Sequence, residues 1–224
     1  APTNLVAWWK AESNANDETG ANNGLLTNGV TFVSGAVGQA FHFDGVDSYV
    51  RVPASPSLGF SNELTIELWY SAEASANQGL VARRNNEAGP LNYEVGVVPG
   101  VQILGFFNDP AVSGDSDLGG NFEITQATPA PPTDEFHHLA VTYRQTNATR
   151  VELKTYVDGR LVKTRAFTAN LGRAVNTNAV VTIGAEAEYP NGWFKGAIDE
   201  VSMYSRALTT NEIFDLYNAG SAGK

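Results

Sequence analysis

Five positions in this chain carry oxygen atoms suited to a hard divalent cation: Asp17, Asp44, Gly45 through its carbonyl, Asp47 and Asp199. Calcium takes about six to eight oxygens from carboxylates, carbonyls and water. Asp17 lies in the stretch NANDETGANNG (14–24), the next three in FDGVD (43–47), and Asp199 in AIDEV (197–201). Asp and Gly are also ordinary turn formers, so the residues alone leave a purely structural reading open.

A second chemistry is suggested by the aromatics. A sugar ring lays its C–H face on an exposed indole or phenol, while Arg, Asn and carboxylates bond its hydroxyls. Trp8, Trp9, Trp69, Tyr93, Tyr189 and Trp193 form the pool. Aromatics in alternating strands pack inward by default, and Trp69 belongs to such a strand. Of Trp8 and Trp9, alternation turns one inward and one outward; Trp9 is carried forward as a candidate platform. Tyr189 and Trp193 flank the turn Pro190-Asn191-Gly192. Arg83, Arg84 and Asn85 end an apolar run and can reach hydroxyls or carboxylates, with Tyr93 following. These seven residues, Trp9, Arg83, Arg84, Asn85, Tyr93, Tyr189 and Trp193, are the candidate ligand-binding set.

Signals for catalysis are missing. The chain has no cysteine, hence no disulfide, thiolate site or Cys nucleophile. No Gly-x-Ser-x-Gly elbow, phosphate loop or His-Glu-x-x-His occurs. His137 and His138 are adjacent, so in a strand they face opposite sides and cannot share a metal. Asp199 and Glu200 are neighbours that point apart, and Glu63 and Glu67 flank a core strand. The Asp- and Gly-rich segment 108–120 could hold a second cation but does not match an EF-hand loop. Asn147-Ala148-Thr149 is a glycosylation sequon, informative only in a eukaryotic host.

The elements that position these groups are strands. Of 224 residues, only 17% are charged and 22 are Gly, a β-type balance. Apolar and polar residues alternate at Leu5–Trp9, 40–43, Tyr49–Val52, 64–70, 79–84, 92–98, 101–107, 139–144, 151–157, 160–165, 180–183 and 194–204, separated by Gly, Asn, Asp and Pro. Asp158-Gly159 predicts a tight hairpin between two of these runs. One helix is expected near the C-terminus. Thr209 and Glu212 form its capping box and Gly220 its end, and it is expected to plug one edge of the sandwich. The net charge of −10 repels nucleic acid and anionic membranes, and no run is long and apolar enough to span a bilayer.

The order of motifs resembles a known family. LVAWWKAESNANDETGANNG (5–24), AFHFDGVDSYVRVP (40–53), ELTIELWY (63–70), FHHLAVTYR (136–144), YVDGRLV (156–162) and FKGAIDEVSMYSRALTTNEI (194–213) together resemble the laminin-G-like branch of the concanavalin A-like lectin/glucanase superfamily. The resemblance implies an all-β jelly-roll sandwich of two antiparallel sheets, forming one domain over 1–224. It implies a structural calcium, with the first loop, the FDG turn and the last long strand meeting at one edge. Hydrolases of this fold carry Glu-x-Asp-x-x-Glu, which this chain lacks.

The resulting expectation is a non-catalytic, lectin-like module that binds a polysaccharide or glycan. It would be extracellular, of bacterial origin given the lack of disulfides, and a monomeric unit of a larger chain whose small polar ends read as linker stubs. A protein-interaction or adhesion module is one alternative. A glycoside hydrolase or lyase built from scattered residues is another.

Overall fold

Alternation becomes strand after strand in a computed structural model that describes residues 2–73, 78–84, 91–98, 102–107, 135–147, 150–168, 178–186 and 192–220. The strands are β1 (Leu5–Trp9), β2 (Leu25–Thr27), β3 (Thr31–Ser34), β4 (Gln39–Asp44), β5 (Tyr49–Val52), β6 (Glu63–Ala72) and β7 (Gln78–Arg84). They continue with β8 (Leu91–Val98), β9 (Gln102–Phe107), β10 (His137–Asn147), β11 (Arg150–Val157), β12 (Arg160–Thr168), β13 (Val181–Ile183) and β14 (Lys195–Tyr204). The helix α1 covers Thr210–Ala219. The short β2 and β3 carry no period-2 signal of their own; they exist by pairing with β5 and β4.

An eight-stranded antiparallel sheet runs β12-β11-β10-β6-β14-β4-β3, with β1 also on β14, and a six-stranded sheet runs β2-β5-β13-β7-β8-β9. Neighbours far apart in sequence give a jelly-roll sandwich. The core lies between the sheets. Leu64, Ile66 and Leu68 of β6 and Leu139 and Val141 of β10 meet Val81, Val95, Val181 and Ile183 from the smaller sheet. Every second residue of β6 points the other way, as the pleat requires.

That other face is where α1 sits. Ile213 and Leu216 pack with Ala140, Tyr156, Tyr204 and Leu208 against the outside of the large sheet. The helix therefore covers a sheet face and does not plug an edge. Trp69 is likewise turned away from the sandwich core and stacks on Tyr217 of α1, centroids 5.7 Å apart. The Thr209–Glu212 capping box is present. The Asp158-Gly159 turn has φ of 49° and 71°, the positive angles of a tight hairpin. A Cβ on Gly159 would meet the Tyr217 ring at 2.9 Å, so the turn tucks under the helix.

Candidate functional site

The five expected calcium ligands are not brought together. Asp17 organises the first loop. Its two oxygens accept from the backbone N–H of Trp8, Thr19 and Asn22, from the Thr19 hydroxyl and from Asn22 Nδ2. A carboxylate ringed by donors has no face left for a cation. Asp44 closes its own turn, its Oδ1 accepting from the Val46 N–H at 2.8 Å and from the Ser48 hydroxyl at 2.8 Å. Burial works upward on its pKa, but these bonds hold it below the usual carboxylate range. Gly45 has φ of 75° and lies beneath Lys195, and the Asp47 carbonyl accepts from Asn28 Nδ2. Asp17, Asp44, Gly45 and Asp47 thus serve turns. Among the described residues no three His, Cys, Asp or Glu side chains could share a metal ion.

Asp199 is different. It is fully buried, its Oδ2 accepts from the Val37 N–H at 2.9 Å, and its Oδ1 has no hydrogen-bond partner. Burial pushes its pKa up to about 7, opposed by the Val37 bond and assisted by the charges of Glu200 and Glu12. Gly35 packs tightly there: a Cβ would clash with Asp199 Oδ2 at 2.5 Å and the Gln39 carbonyl oxygen at 2.9 Å. Glu12 accepts from the Gln39 N–H at 3.2 Å, on the same 35–39 turn. Asp199 thus has one unpartnered buried oxygen, with the Gln39 carbonyl oxygen near the approach to its other oxygen and the Glu12 charge acting on it, all hard oxygen donors of the kind calcium takes.

The outer face of the six-stranded sheet carries the second constellation. Cross-strand partners share a face, and Leu25, Arg51, Thr182, Ala82 and Glu94 form one continuous row of partners. Their neighbours Val50, Val81, Val95 and Val181 face the core. Tyr49, two residues from Arg51, lies on the outer side too. Trp193 bridges to Ala185 and its ring lies tilted at 39° against Tyr49, centroids 5.5 Å apart. The floor is buried: Ala82 is 0%, Thr182 1% and Glu94 5% exposed. The rim, Trp193, Arg51 and Glu186, is half-buried. Arg84 Nη1 donates to Glu94 Oε2 at 3.0 Å. Burial raises the Glu94 pKa to about 7, the Glu186 charge adding to it and Arg84 opposing it. The accessible part is the rim: the Trp193 indole against Tyr49, with the Arg51 guanidinium and the Glu186 carboxyl on the same side, offers stacking and polar contacts on one surface.

A family model described as the concanavalin A-like lectin/glucanases superfamily matches residues 44–214, well over half of the chain. The chain belongs to this superfamily. None of the curated proteins matches it. Among solved structures it is similar to domain 4 of AbnA, a GH43 extracellular arabinanase from Geobacillus stearothermophilus, in complex with arabinotriose. The TM-score is 0.71 at 21% identity, covering 94% of this chain and 97% of that one. It is also similar to the binding domain of Paraclostridial Mosquitocidal Protein 1, with TM-score 0.66, 19% identity and coverage of 96% and 52%. A third is Trypanosoma rangeli sialidase, with TM-score 0.70, 14% identity and coverage of 98% and 33%. The chain thus spans about half of the toxin domain and a third of the sialidase. These likenesses establish the shared fold.

Within this superfamily fold, three of the expected ligand residues turn inward. Trp9 is fully buried and donates Nε1 to the Asn22 carbonyl at 2.9 Å, so it presents no stacking face. Its register partner on β14 is the core residue Val201, which fixes the side it faces. Trp8 is the less buried of the two; its Nε1 donates to Glu200 Oε2 at 2.9 Å, and Lys10 Nζ lies 4.6 Å from its ring centre. Arg83 is fully buried and donates to the carbonyls of Ala179 and Ser55. Tyr93, its partner on β8, is fully buried beside the Met203 sulfur. Of the described members of the expected set, Arg84 and Trp193 are the ones on the outer face. Asn85 and Tyr189 lie outside the described residues, as does the 108–120 segment. His137 and His138 face opposite ways, within hydrogen-bond distance of Asp158 and Glu67 respectively. Arg51, Tyr49, Glu94 and Glu186 had no signal in the sequence, because register alone joins them.

Proposed function

We propose that the domain is a non-catalytic carbohydrate-binding module of a secreted protein. The glycan would lie on the outer face of the six-stranded sheet, against Trp193. The observation that carries this reading is the half-buried Trp193 ring tilted against Tyr49, on the side of the sheet that Arg51 shares and at the edge of a polar floor. The indole gives apolar area to a sugar face, and the charged rim meets its hydroxyls. A structural calcium is part of the proposal, held by Asp199 with Glu12 and the carbonyls of the 35–39 turn. Bound there, it would neutralise a buried carboxylate and tie the first loop to β14. Secretion is supported by the extracellular arabinanase among the structural relatives, and no helix among the described residues is long and apolar enough to cross a membrane.

A hydrolase reading draws on one observation, the Glu94 carboxyl near pKa 7 within reach of the Glu186 charge. A general acid needs access to a substrate oxygen, whereas Glu94 is 5% exposed and committed to Arg84. The test of function is retention on insoluble polysaccharides and a glycan array, for wild type and Trp193→Ala. Selective retention that Trp193→Ala lowers about tenfold or more, with no release of reducing ends, is the expected result. Retention unchanged in Trp193→Ala would remove this face as the site. No retention on any glycan would overturn the lectin-like reading in favour of a protein partner.

A further inference from the structure

One side of the sandwich is built from edge strands that carry no charge. The strand β2 ends the six-stranded sheet and β3 ends the eight-stranded one. The turn Asn28-Gly29, with φ of 53° and 85°, joins them, so both edges lie on the same side. Asn28 Nδ2 donates to the Asp47 carbonyl, which sets the β4–β5 turn beside this corner. Residues 19–43 contain no Asp, Glu, Lys or Arg, the longest such run in the chain. Leu25, Leu26, Val33 and Val46 are nonetheless exposed, at 57%, 43%, 37% and 67%. Residues 2–73 are described without a break, so β2, β3, their turns and their partners β4 and β5 all belong to the described structure. Leu26 lies opposite the core residue Val50, and Phe32 opposite Phe41. Partners share a face, so these two stand at the seam between the sheets. Leu25 and Val33 flank the seam on the outer faces.

Edge strands are normally guarded by charge, proline or a bulge, because an open ladder invites another strand. The far edge of the same sheet follows that rule. Its strand β12 carries Arg160, Lys163 and Arg165, and its register shifts between Thr155 and Tyr156 of β11. The β3 edge breaks the rule. Its sequence TFVS has no charge and no proline, and it pairs with β4 in unbroken register. Thr, Phe and Val are also strong strand formers. Charge then selects the occupant. A body of net charge −10 repels its own copies, and two copies approach at least cost where the surface is uncharged. An antiparallel edge strand is self-complementary as well: a two-fold axis normal to the sheet lays it antiparallel to its copy. A glycan fits less well, since Leu and Val offer neither a ring face nor polar groups to a sugar.

We infer that this side is an interface for a second copy of the chain, in a two-fold dimer where β3 runs antiparallel to its copy and β2 faces its own. Leu25, Leu26, Val33 and Val46 are covered there, and the unsatisfied edge of β3 gains a partner. The association closes at two, because a two-fold contact uses the same patch on both copies and the β12 edge is guarded. The monomeric unit expected from the sequence is thereby replaced. An axis normal to the sheets leaves the outer faces of both six-stranded sheets pointing the same way. Two Trp193 surfaces would then meet one polysaccharide together and gain avidity; that consequence rests on the glycan reading, whereas the dimer does not.

The test is sedimentation velocity of the whole chain from about 1 μM to 1 mM, at low and high salt and without any glycan. It compares wild type with Leu26→Lys/Val33→Lys and with Leu161→Lys, which alters an exposed leucine on β12. Melting temperatures show that each variant is folded. Expected is a concentration-dependent dimer that tightens with salt, because screening weakens the repulsion between the two acidic bodies. It should be lost in Leu26→Lys/Val33→Lys and kept in Leu161→Lys. A second measurement does not depend on the lysine variants. The chain has no cysteine, so Val33→Cys treated with a short bis-maleimide can be linked only to another chain. Linked dimers are expected from Val33→Cys and not from Leu161→Cys. A wild type that stays monomeric throughout overturns the inference and leaves this side to a different partner. A dimer that survives Leu26→Lys/Val33→Lys, or that links through Leu161→Cys and not Val33→Cys, overturns the surface. Growth beyond the dimer overturns the closed two-fold form.

Discussion

Asp199 and Glu94 show how much of this molecule turns on single carboxyls held away from water. Asp199 has one orphan oxygen and neighbours that raise its pKa, so an added cation should stabilise the fold by mass action. Calcium is expected to raise the melting temperature and EDTA to lower it again. Asp199→Asn should melt at or above wild type in EDTA, since it removes a buried charge, but should lose the calcium response; a response that persists would sink the assignment. Glu94 makes a pH prediction. Its folded pKa stands near 7, above the ordinary 4.5. Its protonated form therefore contributes stability that is full below about pH 4.5 and lost as pH rises through 7. The contribution is on the order of 3 kcal/mol. Measured in the Asp199→Asn background, melting should fall between pH 5 and pH 8, and Glu94→Gln should flatten that fall. An unchanged slope would refute it. The expectation at Glu94 had no trace in the sequence, where NYEVG reads as one more strand.

Elements carry their own signals with different fidelity. The capping box of α1 was legible because Thr209 and Glu212 act within one turn, and it is present. What α1 covers was not legible, because the partner face is assembled from β10, β11 and β14 by pairing. Thr209→Ala should cost about 1 kcal/mol, read as a lower melting temperature with the β-sheet signal unchanged. Gly159→Ala should cost more, because it adds a strained positive φ to a clash with the Tyr217 ring. A Tyr217→Ala change in the same chain should recover part of that loss, and no recovery would separate the turn from the helix. The β12 strand shows the converse. Its charges are visible in the sequence, but their place on the inner side follows only from its register with β11.

At the scale of the whole molecule, the two ends of the chain are held together by pairing of β1 with β14, Trp9 opposite Val201. Ala7 and Trp9 enter the same core as Val201 and Met203. Removing a buried Trp side chain alone costs about 3–5 kcal/mol, against a total stability of about 5–15 kcal/mol. Deleting residues 2–12 is therefore expected to abolish the cooperative unfolding transition; a deletion variant with a sharp urea transition would contradict this. Strand alternation, turn residues, the hairpin at Asp158-Gly159, the capped helix and the superfamily were all determined by the sequence itself, because each rests on contacts between residues close along the chain or on motif order. The inward turn of Trp9, Arg83 and Tyr93, the separation of Asp17, Asp44 and Asp47 from Asp199, and the row joining Arg51, Thr182, Ala82 and Glu94 were decided by the tertiary structure alone. Alternation divides a strand's residues between two faces without saying which is inside. Only long-range register, set by which strands become neighbours, chooses the face and brings distant side chains onto it.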